Sequence, residues 1–202
     1  MSLANDTIST RPREIYFIRH GETLWSLSGR HTGCTEIPLT PHGEQQAREL
    51  GERLRTLAFS HVLTSPRQRA RQTCDLAGLV PPAEIDQDLS EWDYGDYEGL
   101  TTAQIRTQRP QWNVYRDGCP GGETPAQISD RADRVIAGLA DGDGKIALFS
   151  HAQFGCVLAA RWIGLAVIEA QHFSLDPAAL NILGYKPGNP ELRVIALLNG
   201  AP

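Results

Sequence analysis

Ile15-Tyr16-Phe17-Ile18-Arg19-His20-Gly21 is a short run of aromatic and β-branched residues that stops at a charged, hydrogen-bonding triplet. Such a run fits a buried strand, and its abrupt polar end fits a functional turn at the strand's carboxyl edge. Downstream, Thr40-Pro41 reads as an N-cap followed by proline in the first helical position, with Ala47, Leu50, Leu54 and Leu57 at helical spacing behind it. His61-Val62-Leu63-Thr64 is a second short strand, and Ser65-Pro66-Arg67-Gln68 has the form of a capping box opening a helix that ends at Gly78. Thr101 with Gln104, and Thr124 with Gln127, repeat the box; the second leads into Ile128, Ala132, Val135, Ile136 and Leu139 on one face. A strand over 145–149 ends at Ser150-His151, a helix follows over 153–162, and runs at 180–185 and 192–198 supply two further strands. This alternation predicts an α/β fold: a mostly parallel central sheet flanked by helices on both faces, with ligands beyond the carboxyl ends of its strands.

The chain has 202 residues, 41% hydrophobic and 21% charged, which suits one folded domain over 14–202 behind a flexible tail over 1–13. A net charge of -5 argues against a protein that grips nucleic acid by its phosphates. The first fourteen residues lack the apolar core of a signal peptide, and the apolar stretch after Ile146 is broken by Ser150, His151, Gln153 and Arg161. A cytoplasmic protein with no membrane partner and reduced thiols at Cys34, Cys74, Cys119 and Cys156 is therefore expected. Lys145 and Lys186 are the only lysines, so 17 of the 19 basic residues are arginine. Guanidinium matches phosphate and carboxylate bidentately, so some of these arginines could form an anion site while most occupy the surface.

Three strand ends carry polar punctuation: Arg19-His20-Gly21, the stretch from Thr64 to Arg69, and Ser150-His151. Arg19 beside His20 disfavours an imidazolium and leaves a neutral ring able to attack an electrophile. No H-x-H or H-x-x-x-H pair accompanies it, so neither metal nor other cofactor is expected. On the helix after Ser65, Ala70, Thr73, Cys74 and Ala77 define the buried stripe; Arg67 and Arg71 face solvent, whereas Arg69 lies at the stripe's edge and needs a partner anion. His31, His42, His61 and His172 have no comparable context and read as surface or packing residues.

These residues carry a resemblance. Phe17 to Gly21 (FIRHG), Glu22-Thr23-Leu24-Trp25, Pro38-Leu39-Thr40-Pro41-His42-Gly43, Thr64-Ser65-Pro66 with Arg69-Ala70, Leu89-Ser90-Glu91 with Tyr97-Glu98-Gly99, and Gly122-Glu123-Thr124 with Ser150-His151 resemble the histidine phosphatase superfamily in its phosphoglycerate-mutase-like branch. The chain is also similar to the sedoheptulose-1,7-bisphosphatase-like sugar phosphatases. The resemblance implies His20 as a nucleophile that becomes phosphorylated, and Arg19, Arg69 and His151 as the pocket for the phosphoryl oxygens. It implies Glu91 as general acid and base, which suits a poor alkoxide leaving group. Ser26 stands where the family usually has asparagine, Cys34 replaces a common tryptophan, and Ala152 a common glycine; Ser26, Thr32, Gly33 and Tyr94 are expected to contact substrate, Arg116 to meet a distal phosphate, and residues 112–119 to act as a lid or as a structural loop anchored by two aromatics.

The implied activity is that of a phosphoric monoester hydrolase acting without metal on sugar phosphates or bisphosphates. Its expected partners are a small phosphorylated metabolite and, compatibly with the composition, a second copy of the chain. The alternatives are a phosphoglycerate-mutase-type transferase, a phosphoprotein phosphatase and a non-catalytic phosphate-ligand binder.

Overall fold

Alternation along the first strand explains how the sheet is covered. In the computed structural model, which describes residues 14–139 and 144–201, β1 (Glu14–Arg19) sends Ile15 and Phe17 into one apolar cluster and Tyr16 and Ile18 into another. The two-residue period of a strand requires this division. β4 (Lys145–Ser150) divides in the same way, Ile146 and Leu148 to one side, Ala147 and Phe149 to the other. Both strands are thus covered on both faces, which is why their sequences read as continuous apolar runs.

The sheet has the order β3-β2-β4-β1-β5-β6, with β2 at Phe59–Thr64, β3 at Glu84–Ile85, β5 at Leu180–Lys186 and β6 at Asn189–Gly200. The pairs β3·β2, β2·β4 and β4·β1 are parallel, while β1·β5 and β5·β6 are antiparallel. The largely parallel arrangement holds for the first four strands; the last two form an antiparallel hairpin along one edge. β3 has only two residues, both exposed, and so presents no periodicity to read.

α2 (Pro41–Leu54) and α3 (Gln68–Ala77) cover one face through Leu50, Leu54, Cys74 and Ala77; α6 (Pro125–Gly138) and α7 (Ala152–Trp162) cover the other. The Thr40 hydroxyl caps α2 by accepting the Gly43 N–H at 3.0 Å, and the boxes at Thr101 and Thr124 form as expected, opening α4 (Thr102–Gln108) and α6. α3 departs from expectation. Its N-cap is Arg67, without a side-chain cap, and the Gln68 N–H is taken by the Glu36 carboxylate at 2.7 Å. The Ser65 hydroxyl expected to cap it accepts the Arg67 N–H at 3.3 Å, one residue before the helix, and also contacts His151. Two further helices are single turns, α1 (Leu24–Leu27) and α5 (Val114–Asp117).

The tail expected over 1–13 lies outside the described residues. Among those described, no helix is long and apolar enough to cross a membrane.

Candidate active site

β1 and β4 run parallel and in register, with Arg19 opposite Ser150. The His20 N–H continues the ladder by donating to the Ser150 carbonyl at 2.9 Å, so His20 and His151 emerge from adjacent strands on the same rung. Their rings lie 5.3 Å apart, edge to face, and both side chains are buried. His20 Nδ1 is 2.8 Å from the Gly21 carbonyl oxygen, which can only accept, so Nδ1 carries the proton and Nε2 keeps its lone pair. Burial holds the His20 imidazole well below the usual histidine range, reinforced by the positive charges of Arg69 and then Arg19. The neutral ring expected from Arg19 alone is therefore mainly a consequence of burial.

His151 is likewise held well below the ordinary range, by burial and then by Arg69 and His20. Its Nε2 lies 2.7 Å from Ser65 Oγ, which also accepts the Arg67 N–H at 3.3 Å. In the tautomer in which the Ser65 hydroxyl donates to Nε2, the imidazole proton sits on Nδ1. That atom is buried and has no hydrogen-bond partner.

Two arginines complete the inner group. Arg69 is fully buried; its terminal nitrogens donate to the carbonyls of Thr32 (2.8 Å), Gly33 (3.1 Å) and Thr35 (3.1 Å), leaving Nε without a partner. Arg19 donates to the Leu175 carbonyl and its Nε is also buried and unpartnered. Buried, unpartnered nitrogens on Arg19, Arg69 and His151, all neighbours of His20, suit the oxygens of an anion, since a buried donor left unmade is costly. Arg67, expected on a solvated face, instead reaches the Cys34 carbonyl and the Glu36 carboxylate, bracing the 34–36 loop; Arg71 is exposed as expected.

Glu91 follows the short turn at Gln87–Leu89 and is buried. Its Oε1 accepts the N–H groups of Trp92 and Phe154 (both 2.8 Å), and Oε2 accepts that of Gln153 (3.1 Å). Burial raises its carboxyl above the ordinary range, outweighing those donors and the charge of Arg69. The loop carrying Glu91 is held by Arg131 of α6, which donates to the carbonyls of Asp88 (2.9 Å), Ser90 and Glu91 (3.2 Å). Arg131 also forms a two-pronged pair with Glu123 (2.9 and 2.7 Å) and lies 4.6 Å over the Phe154 ring. The sequence reading missed Arg131, although a charged residue between Ile128 and Ala132 on an apolar stripe is the signal for a buried clamp.

Beside these groups opens a cavity of about 290 Å³ lined by Arg19, His20, Glu91, Ser26, Thr32 and Tyr94 among the expected residues. Arg69 and His151 stand against His20 but are not part of the cavity lining. Ser26 is committed: its hydroxyl donates to the Thr23 carbonyl and accepts the Thr23 N–H (both 2.9 Å), closing the cap of α1. Gly33 lies outside the lining, its N–H bound by Glu98 at 2.9 Å. A Cβ there would come within 2.5 Å of the Trp92 carbonyl oxygen, so glycine serves backbone packing rather than anion contact.

Arg116 does not reach the cavity. Val114 and Tyr115 of α5 turn inward, which aims the next residue outward, and Arg116 is 53% exposed and paired with Asp117. Residues 112–119 are a structural anchor: Trp112, Val114 and Cys119 are buried, and Trp112 Nε1 donates to the Gly118 carbonyl at 2.9 Å. Tyr115, from the expected lid segment, lines the cavity, as do Arg30 and His31, neither of which was foreseen. The His31 ring stacks 4.6 Å from Tyr94, and burial lowers its imidazole to about 4. Among the described residues, no group of three or more His, Cys, Asp or Glu side chains is placed to hold a metal ion.

Comparison with known proteins adds to this geometry. The model of the histidine phosphatase superfamily (branch 1) matches residues 15–197. An acid phosphatase of Mycobacterium tuberculosis is 42% identical over 194 residues, 94% of this chain and 95% of the relative. Sedoheptulose 1,7-bisphosphatase of Saccharomyces cerevisiae is 41% identical, covering 79% of this chain and 70% of its own length. A solved structure of a Mycobacterium tuberculosis open reading frame superimposes with a TM-score of 0.87 at 40% identity, over 94% of this chain and 98% of that one.

Proposed function

The chain belongs to the histidine phosphatase superfamily, and from that premise we propose that it hydrolyses small phosphorylated metabolites, sugar phosphates or bisphosphates, through a phosphohistidine on His20. One observation carries this reading: His20 keeps the unshared pair of Nε2, while its neighbours Arg19, Arg69 and His151 each hold a buried nitrogen without a partner, Arg19 Nε, Arg69 Nε and His151 Nδ1. They suit the equatorial oxygens of a phosphoryl group, whose charge they stabilise as it is transferred. Nε2 attacks phosphorus as the P–O bond to the alcohol breaks, and the carboxyl proton of Glu91 passes to the leaving oxygen. Glu91, now a carboxylate, takes a proton from water as that water attacks phosphorus; the P–N bond breaks, and inorganic phosphate and the starting enzyme result.

Hydrolysis is favoured over transfer back to substrate because Gly29 and Arg30 at the cavity are solvent-exposed and the 112–119 segment is packed into the core. Water can reach the intermediate. A cavity of about 290 Å³ lies at the small end of ligand sites, which run from roughly 300 to 1,000 Å³, and fits a metabolite better than a folded phosphoprotein.

The test is phosphate release from sugar mono- and bisphosphates with EDTA present. The wild type should turn over and His20→Ala should lose at least about a thousandfold in rate. Rapid quenching with labelled substrate should trap an acid-labile, alkali-stable phosphoprotein in the wild type only. Undiminished turnover by His20→Ala removes His20 as nucleophile.

A further inference from the structure

We propose that the outer wall of the cavity holds a second anion subsite, built on the Arg30 guanidinium, that selects substrates carrying a distal phosphate or carboxylate besides the phosphoryl group transferred. The proposal rests on the phosphatase reading for the role of the inner group, but its observations are separate. The charged residues lining the cavity are Arg19, Arg30 and Glu91. Arg19 donates to the Leu175 carbonyl, and both oxygens of Glu91 accept backbone N–H groups. Among the described residues, the Arg30 side chain has neither hydrogen bond nor ion pair; its one contact of note is the Trp25 ring, with the guanidinium carbon 5.9 Å from the centroid. Arg53, Arg71 and Arg193 also lack polar partners there, but none of them lines this cavity.

The base of Arg30 is fixed. Its N–H donates to the Trp25 carbonyl at 3.0 Å, its carbonyl accepts the Thr32 hydroxyl at 3.1 Å, and it bridges to Thr101. The next residue is pinned as well, with the His31 N–H on the Leu100 carbonyl and the Gly99 N–H on the His31 carbonyl, both at 2.9 Å. An anchored main chain thus presents a charge that nothing in the described protein neutralises. Thr102 Oγ1, 3.1 Å from His31 Nε2, adds a neutral polar group to the same wall. At roughly 30 Å³ per water, 290 Å³ holds the volume of about ten waters, more room than a phosphoryl group alone requires. A ligand filling it extends from His20 to Arg30, and a guanidinium receives either phosphate or carboxylate through two parallel hydrogen bonds.

Binding and turnover are measured separately so that the two readings can fail independently. In the His20→Ala protein, calorimetry compares fructose 1,6-bisphosphate with fructose 6-phosphate, and 3-phosphoglycerate with glycerol 3-phosphate, each with and without Arg30→Gln. The two-anion member of at least one pair should bind more tightly. Arg30→Gln should reduce that preference about tenfold, equivalent to about 1.4 kcal/mol, Arg30→Lys should reduce it less, and added salt should erode it. The bisphosphate pair reports a distal phosphate, the glycerate pair a carboxylate, and a preference in either supports the subsite. No preference in either pair, or one that Arg30→Gln leaves intact, overturns it. Absence of phosphate release by the wild type instead refutes the phosphatase reading and leaves the binding result standing.

Discussion

At the scale of single residues, the site depends on two groups displaced in opposite directions. In the proposed mechanism His20 must be neutral to attack and Glu91 protonated to assist departure; burial depresses the first and raises the second. Acidification therefore spares the nucleophile, while a rise in pH through the elevated value of Glu91 removes its proton. kcat/KM should be highest below the elevated value of Glu91 and fall as pH rises through it, and a pH–rate profile of Glu91→Gln should lose that fall. That variant should lose about 10²–10⁴-fold on alkyl phosphates and much less on p-nitrophenyl phosphate, whose phenolate leaves without a proton. Comparison of the two substrates measures this directly.

The same burial affects stability with a definite sign. His20, His31 and His151 bind protons less readily folded than unfolded. As pH falls below about 6.5 the unfolded chain gains protons first and stability is lost, for His31 until pH reaches about 4. Glu91 has the opposite sign, its contribution being lost as pH rises through its elevated value. Thermal melts should give a lower Tm at pH 5 than at pH 7, with a shallower decline in His31→Asn.

Elements were legible where their determinants were local. The boxes at Thr101 and Thr124 each join residues three apart, so a short stretch of sequence contains both partners. The Ser65 box did not form: its hydroxyl accepts the Arg67 N–H and also contacts His151, 86 positions away, while Glu36 from another loop takes the Gln68 N–H and the helix starts at Gln68. Arg116 was misplaced for a related reason: the turn of α5 that aims it outward is set by Val114 and Tyr115 finding the core. α6 reaches the active site through Arg131, a positioning residue whose guanidinium gathers the loop bearing Glu91. Arg131→Ala leaves Glu123 without its partner and should cost about 3 kcal/mol in denaturant melts. Where the variant folds, kcat should fall more than KM rises, because substrate charge is met chiefly by residues other than Glu91.

For the whole molecule, the α/β layering and the two histidines at strand ends were readable because both depend on apolar runs and their punctuation. The antiparallel β5·β6 hairpin was readable as two strands only, since direction is set by pairing with β1 across the sheet. The excess of arginine over lysine acquires a physical reason in two cases: Arg69 and Arg131 each donate to several backbone carbonyls at once. A lysine's single ammonium could not span those acceptors. Cavity size leads to one more expectation. Phosphopeptides should be hydrolysed far less efficiently than sugar phosphates in a side-by-side assay of kcat/KM, and comparable values would reassign the substrate class.

The shared rung of β1 and β4 separates two kinds of change. The spacing of His20 and His151 is set by a backbone ladder deep in the sheet, which side-chain replacement elsewhere barely alters. Arg30, His31 and Thr102 belong instead to loops or a helix start that the ladder does not include. If the proposed subsite holds, mutation on that wall changes which ligands fit while the histidine pair on the ladder is inherited unaltered, so descendants of one ancestor diverge in diet without reinventing the chemistry.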